Sequence, residues 1–173
     1  GKGLSMPEIN ETRLREQISK NQLASLYFLY GEEKFLVKRD VLRLTRKFST
    51  ADFPEFNFNE FPHTASIDEI ADAAMALPFM AERKCVTVSD LNVDALGASE
   101  QSKLQELIEN VPETTVLVFF LPTLEIDVKK SAKWRNFIKK VDAAGCSICY
   151  ARRSESDLEK FLCREAEKRG CTL

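Results

Sequence analysis

The sequence predicts an α/β fold: a doubly wound, five-stranded parallel sheet with helices on both faces. Two observations carry this. Short apolar runs alternate with amphipathic helical stripes five times along the chain, the order that builds parallel sheets. The run Val116–Leu121 is apolar at every position, as a central strand covered on both faces must be. An apolar content of 44% against 30% charged is enough to build a buried core.

The elements follow in order. Residues 11–24 place Leu14 and Ile18 four apart, which predicts a short helix. Leu26–Tyr30 is apolar, aromatic-rich and too short for a helix, so it reads as a strand closed by Gly31. Residues 32–48 predict a helix burying Val37, Val41, Leu44 and Phe48, with Glu32 and Glu33 in a first turn that favours acids. Phe56–Phe61 alternates with period two, a second strand. Ser66 and Glu69 form a capping box opening a helix on Ile67, Ile70, Ala71 and Ala74. Cys85–Val88 is a third strand, followed by Asp90. After a polar loop at Gly97, residues 99–110 align Leu104, Leu107 and Ile108, with Val111 in register. Val116–Leu121 is the fourth strand. Residues 128–141 predict a helix on Trp134, Phe137, Ile138 and Val141, stopped by Gly145. Cys146–Tyr150 is the fifth strand, and Ser154 opens a last helix on Leu158, Phe161, Leu162 and Ala166, ended by Gly170.

Length and charge bound the function. The 173 residues suit one domain, or one domain plus a fragment. Gly1–Ser5 reads as a cloning remnant before a native Met6, and the end at Leu173 reads as a cut in something longer. A net charge of -2 argues against a chain whose own field holds nucleic acid. No apolar run approaches the ~18 residues of a membrane helix, so no membrane is expected. Five scattered cysteines predict a reduced, cytoplasmic chain.

The stretch that stands out is Met75-Ala-Leu-Pro-Phe-Met80, where a helix-to-strand turn should be polar. Pro78 ends the helix and stiffens the loop. Met75, Leu77, Phe79 and Met80 then read as an apolar plug that fills a partner's pocket. The bland alternative is that they turn inward as core.

Catalytic chemistry is missing elsewhere. A phosphate loop needs several glycines and a Lys-Ser/Thr pair, whereas the first strand leads into Gly31, Glu32, Glu33 and Lys34, whose acids would repel phosphate. Asp90 follows a strand as a magnesium-holding acid would, but Leu91 occupies the place of a catalytic Glu. Cys146 and Cys149 form a CxxC within a strand, on opposite faces, and Cys163 and Cys171 do not complete a zinc set, so no metal and no cofactor is expected. His63, the only histidine, has no evident nucleophile beside it. Lys129, Lys130, Lys133, Arg135, Lys139 and Lys140 share one predicted helix, with Arg152 and Arg153 at the next strand end; they would meet DNA or another subunit, or simply face solvent. A different class also fits the strand count: a phospho-receiver domain, with Glu32, Glu33, an acceptor Asp90 and Thr123. It lacks the required Lys after the fifth strand, where Ala151, Arg152 and Arg153 stand.

Four segments carry a family likeness: Tyr27–Leu36, Ala74–Lys84, Val116–Pro122 and Asp127–Phe137. Together they resemble the delta subunit of bacterial DNA polymerase III, the clamp-opening member of the clamp loader, from about Glu11 to Leu173. The family is roughly twice this length, so the chain would be its amino-terminal part. The resemblance implies an AAA+-like (P-loop NTPase-like) domain over 6–150 with a degenerate P-loop, then the beginning of a helical lid over 151–173. It implies no ATP hydrolysis by this chain, a subunit of a DNA-directed DNA polymerase (nucleotidyltransferase) holoenzyme. Met75, Leu77, Pro78, Phe79 and Met80 would bind the ring-shaped sliding clamp (beta subunit) and open it during DNA replication. Gamma/tau and delta prime subunits would be the other partners, with DNA met only inside the complex. Pro78, between the two anchors, departs from the plain Leu-Phe pair of some members.

Overall fold

A computed structural model describes residues 7–152. Its elements are α1 (Pro7–Ser19), β1 (Leu26–Tyr30), α2 (Lys34–Ser49), α3 (Pro54–Asn57), β2 (Phe58–Phe61), α4 (Ile67–Met75), β3 (Lys84–Ser89), α5 (Ala98–Glu109), β4 (Thr115–Phe120), α6 (Ala132–Ala144) and β5 (Cys146–Cys149). Short 3-10 turns at Val93–Ala95 and Val128–Lys130 join them.

All five strands are parallel, in the order β2-β3-β4-β1-β5. Each apolar strand feeds a helix too long for a hairpin turn, so the chain crosses over before pairing again. One face carries Leu26, Phe28, Val86, Val88, Leu117 and Phe119 against α4, α5 and α6. The other carries Tyr27, Leu29, Val116, Val118 and Ile148 against α1 and α2. That order settles the receiver alternative against Asp90 as acceptor: a receiver has β1 beside β2 and β3, whereas here β1 lies between β4 and β5.

Several boundaries differ from expectation, each for a local reason. The first helix stops at Ser19, not at residue 24. Asn21 enters the left-handed region (φ 54), and the N–H groups of Asn21 and Gln22 bond to Ile18 and Gln17 in a Schellman motif. Glu32 and Glu33 precede α2 instead of lying in its first turn; Glu33 is the cap residue and its N–H is bonded to the Tyr150 carbonyl. The run from Phe56 is not all strand. Phe53 is left-handed and Pro54 starts a helical turn, so extended structure begins only at Phe58. Residues 128–141 are two pieces: Ser131 caps α6 by accepting from the Trp134 N–H, and its extended backbone breaks the helix from the turn before it. The Ser66–Glu69 capping box is present as expected. The predicted last helix from Ser154 lies outside the described residues, as do Gly1–Ser5.

Two close approaches hold β5 and the turn after β1. Gly145 stands against the Leu26 carbonyl, where any Cβ would collide. Gly31 has φ 130 and faces the backbone of Tyr150. Tyr150 in turn donates its buried hydroxyl to Asp40 at 2.6 Å, and Asp40 also takes Arg39 at 2.8 Å. Gly31→Ala therefore combines a forbidden dihedral with a backbone collision. It is expected to cost at least ~2 kcal/mol in urea unfolding.

Candidate functional site

Two ends of the sheet are candidates. At the carboxyl ends of β1 and β5 lies a cavity of about 700 Å³ lined by Tyr30, Gly31, Glu32, Glu33, Lys34, Glu125 and Arg152. This is where ligands sit on such sheets, and the lining lysine and the nearby Asp90 are bonded within the chain. Lys34 donates its ammonium to the carbonyls of Leu121 at 3.1 Å and Leu124 at 2.7 Å. Burial lowers the Lys34 pKa, offset in part by the nearby Asp90 and Glu125 carboxylates. Asp90 (φ 56) accepts from the Thr123 hydroxyl at 2.6 Å and from the N–H groups of Thr123 and Leu124 at 3.2 and 2.9 Å. Burial alone would raise its pKa, but these three donors and Lys34 outweigh it and hold the carboxyl below its ordinary value. Lysine and aspartate thus brace the β4 end from two sides. Neither points a free charge at the cavity.

The opposite end of the sheet carries the plug. Leu77 is 81% exposed, Met80 79%, Met75 50% and Phe79 44%. The loop bearing them is held at three points. At its start, the Thr115 hydroxyl donates to the Ala74 carbonyl at 2.7 Å. At its end, Arg83 reaches under the sheet to the carbonyls of Thr115 at 3.2 Å and Leu23 at 2.8 Å. In the middle, buried Asn57 accepts from the Phe79 N–H at 2.7 Å and donates to the Phe79 carbonyl at 2.8 Å. Pro78 supplies no N–H to this pattern and restrains Leu77 to extended geometry.

Asn57 belongs to α3, and α3 brings two more aromatic rings. Phe53 meets Phe79 edge-on with centroids 5.1 Å apart, and Phe56 lies 4.9 Å away at a tilt. Both are exposed, at 40% and 55%. Phe53 and Met80, which flank this cluster, both have positive φ, a strained state for bulky side chains. Sequence reasoning placed Phe56 in a strand and passed over Phe53 and Asn57. The Pro54 after Phe53 was the available signal.

The other sequence candidates are scattered. Lys129 and Lys130 sit on the 128–130 turn, not on α6 with Lys133 and Arg135. Arg135 caps that turn through the carbonyls of Val128 and Lys129 at 2.9 and 2.7 Å. Lys133 lies 3.4 Å from the Asp94 carbonyl and Lys140 3.8 Å from Glu109, so the six cations do not form one uncompensated face. Cys146 and Cys149 are separated by the sheet, and burial pushes both thiols up. His63 is exposed in the turn after β2.

A family model described as DNA polymerase III, delta subunit, matches residues 27–148. The DNA polymerase III subunit delta of Bacillus subtilis (strain 168) is 25% identical over 123 residues, which cover 66% of this chain and 35% of that relative. The chain thus spans about a third of the curated relative's length. Among solved structures, the Bacillus subtilis DNA clamp loader delta protein aligns with a TM-score of 0.73 at 20% identity, over 91% of this chain and 47% of that one. A DNA polymerase III gamma subunit-related protein from Thermotoga maritima aligns at 0.54 and 16% identity, over 89% and 49%. At these identities the structural likeness shows the fold, an AAA+-like α/β domain.

Two outcomes test the geometry. Asn57→Ala leaves the Phe79 backbone unpaired and is expected to cost about 1–3 kcal/mol, with faster hydrogen exchange at the Phe79 amide. Asp90→Ala is expected to cost about 1–2 kcal/mol at neutral pH, allowing for solvent screening. Because the folded carboxyl titrates below its ordinary value of roughly 4, this contribution is complete above that pH and lost as pH falls through the depressed value. The gap between wild type and variant in urea unfolding should therefore close in strong acid.

Proposed function

The chain belongs to the DNA polymerase III delta subunit family, and from that premise we propose that it is the clamp-gripping part of a clamp-loader subunit. The observation that carries this is the pinned plug: Leu77 stands 81% exposed on a loop fastened at Thr115, Asn57 and Arg83. An exposed apolar side chain on a mobile loop would fold back. One held out on a braced loop is preorganised for a partner, so little ordering cost remains at binding. The partner is a sliding clamp with an apolar pocket near a subunit interface. Leu77 enters the pocket, Phe79 follows, and Met75 and Met80 supply adaptable rims.

Ring opening needs no chemistry from this chain. A clamp conformation that accepts the plug better than the closed ring is favoured by the difference in binding energy alone. Leu77 has most of its surface to bury and Phe79 a little under half, which together are worth about 2–4 kcal/mol. ATP would be bound and hydrolysed by other loader subunits, of the gamma/tau and delta prime kind, and DNA would be met within the assembled complex. The commitment of Lys34 to backbone carbonyls, and of Asp90 to the Thr123 hydroxyl and the Thr123 and Leu124 N–H groups, supports a chain that does not itself hydrolyse nucleotide.

Leu77→Ala with Phe79→Ala is expected to abolish clamp capture in a pull-down while the melting temperature stays near wild type. Residual binding, read by surface plasmon resonance, should weaken by roughly 30- to 1000-fold. Normal capture by the double variant would remove these residues from the interface.

A further inference from the structure

On the face of the sheet carrying α1 and α2, a groove of about 580 Å³ runs along α2 beside β2 and β3. Its floor is apolar: Val41, Leu42, Phe58 and Phe120. Leu42 is 70% exposed, an unusual place for leucine on a helix that buries its other stripe well. Lys38 and Arg46 line the groove from α2, both exposed and neither in an ion pair among the described residues. Arg39 and Arg43, by contrast, are turned to Asp40. A single carboxylate, Glu60, stands among the lining residues from β2.

The groove lies beside the loop that carries Leu77 and Phe79. Its lining includes Ser49 and Thr50, just before the Phe53 that packs on Phe79. Phe58 in its floor directly follows Asn57, whose amide clamps the Phe79 backbone.

We propose that this groove is a second half of the docking surface and takes an acidic, leucine- or phenylalanine-bearing segment of the same clamp that receives the plug. This rests on the clamp-binding function proposed above. The apolar floor selects a peptide over a phosphate backbone, which would leave Leu42 and Phe58 without contacts. The two unpaired cations select carboxylates and set the direction of the charge match. The volume lies within the range of ordinary ligand clefts.

The test uses the full chain and purified bacterial sliding clamp, with binding measured across a salt series. Lys38→Glu with Arg46→Glu is expected to weaken clamp binding about tenfold at low salt and to flatten its salt dependence. Leu42→Ser, which leaves charge unchanged, should weaken it about fivefold at every salt concentration, from lost apolar contact. All three positions are exposed, and matching melting curves would show that the fold is intact. If the groove variants bind clamp like wild type while Leu77→Ala with Phe79→Ala does not, the groove proposal is overturned and the plug stands. If the groove variants lose binding and the plug variant keeps it, the plug assignment fails instead. A charge-reversal variant that loses duplex DNA binding and keeps clamp binding would make this a nucleic-acid contact and overturn the proposal.

Discussion

Thr115, buried at the first position of β4, holds both ends of the plug loop. Its hydroxyl bonds to the last turn of α4 and its carbonyl receives Arg83, so one residue fixes where the loop leaves the helix and where it rejoins the sheet. This ties an exposed surface to a rigid strand. β4 is hydrogen-bonded on both sides, to β1 and β3. Phe53 keeps a left-handed backbone where its ring packs on Phe79, which Asn57 holds at both backbone groups.

The two ends of the sheet have opposite characters. The carboxyl end has the shape of a ligand site, yet its lysine and aspartate are bonded to the backbone of the β4 exit and the Glu33 N–H is taken by Tyr150. These bonds cross-link β1, β3, β4 and β5 where a ligand would otherwise bridge them. The amino end presents apolar side chains on a braced loop. A fold that can hold a small molecule at one end of its sheet thus exposes an apolar loop at the other, and hydrogen bonds tie the strand exits together at the first end.

Charge follows the same division. Net charge is close to zero, but α2 alone holds Lys34, Lys38, Arg39, Arg43, Arg46 and Lys47 against a single Asp40. Burying Asp40 with Tyr150 and the adjacent arginines consumes part of that excess. Of the rest, Lys34 is bonded to the Leu121 and Leu124 carbonyls and Lys47 to Asn21, which leaves Lys38 and Arg46 along the groove beside β2 and β3. The lysine-rich segment after β4 looked more basic in one dimension, but its cations are divided between a turn and a helix and several are bonded to carbonyls.

The sequence by itself determined the fold class, the five strands and the outward apolar loop at Leu77–Met80, because each has a local cause. Apolar runs, periodic stripes, the Ser66–Glu69 cap and Pro78 all act within a few residues of themselves. It also showed that Gly31–Lys34 lacks the glycines of a phosphate cradle. The strand order, and with it the exclusion of a receiver domain, belonged to the tertiary structure, since five βα units are compatible with more than one winding. So did Asn57, Thr115 and Arg83 as the plug's anchors. Their partners lie 22, 41 and 32 positions away in the chain, and a hydrogen bond across such distances leaves no periodic trace in either segment. Phe53 and Phe56 became part of the surface for the same reason: their place beside Phe79 exists only once β2 and β3 have paired.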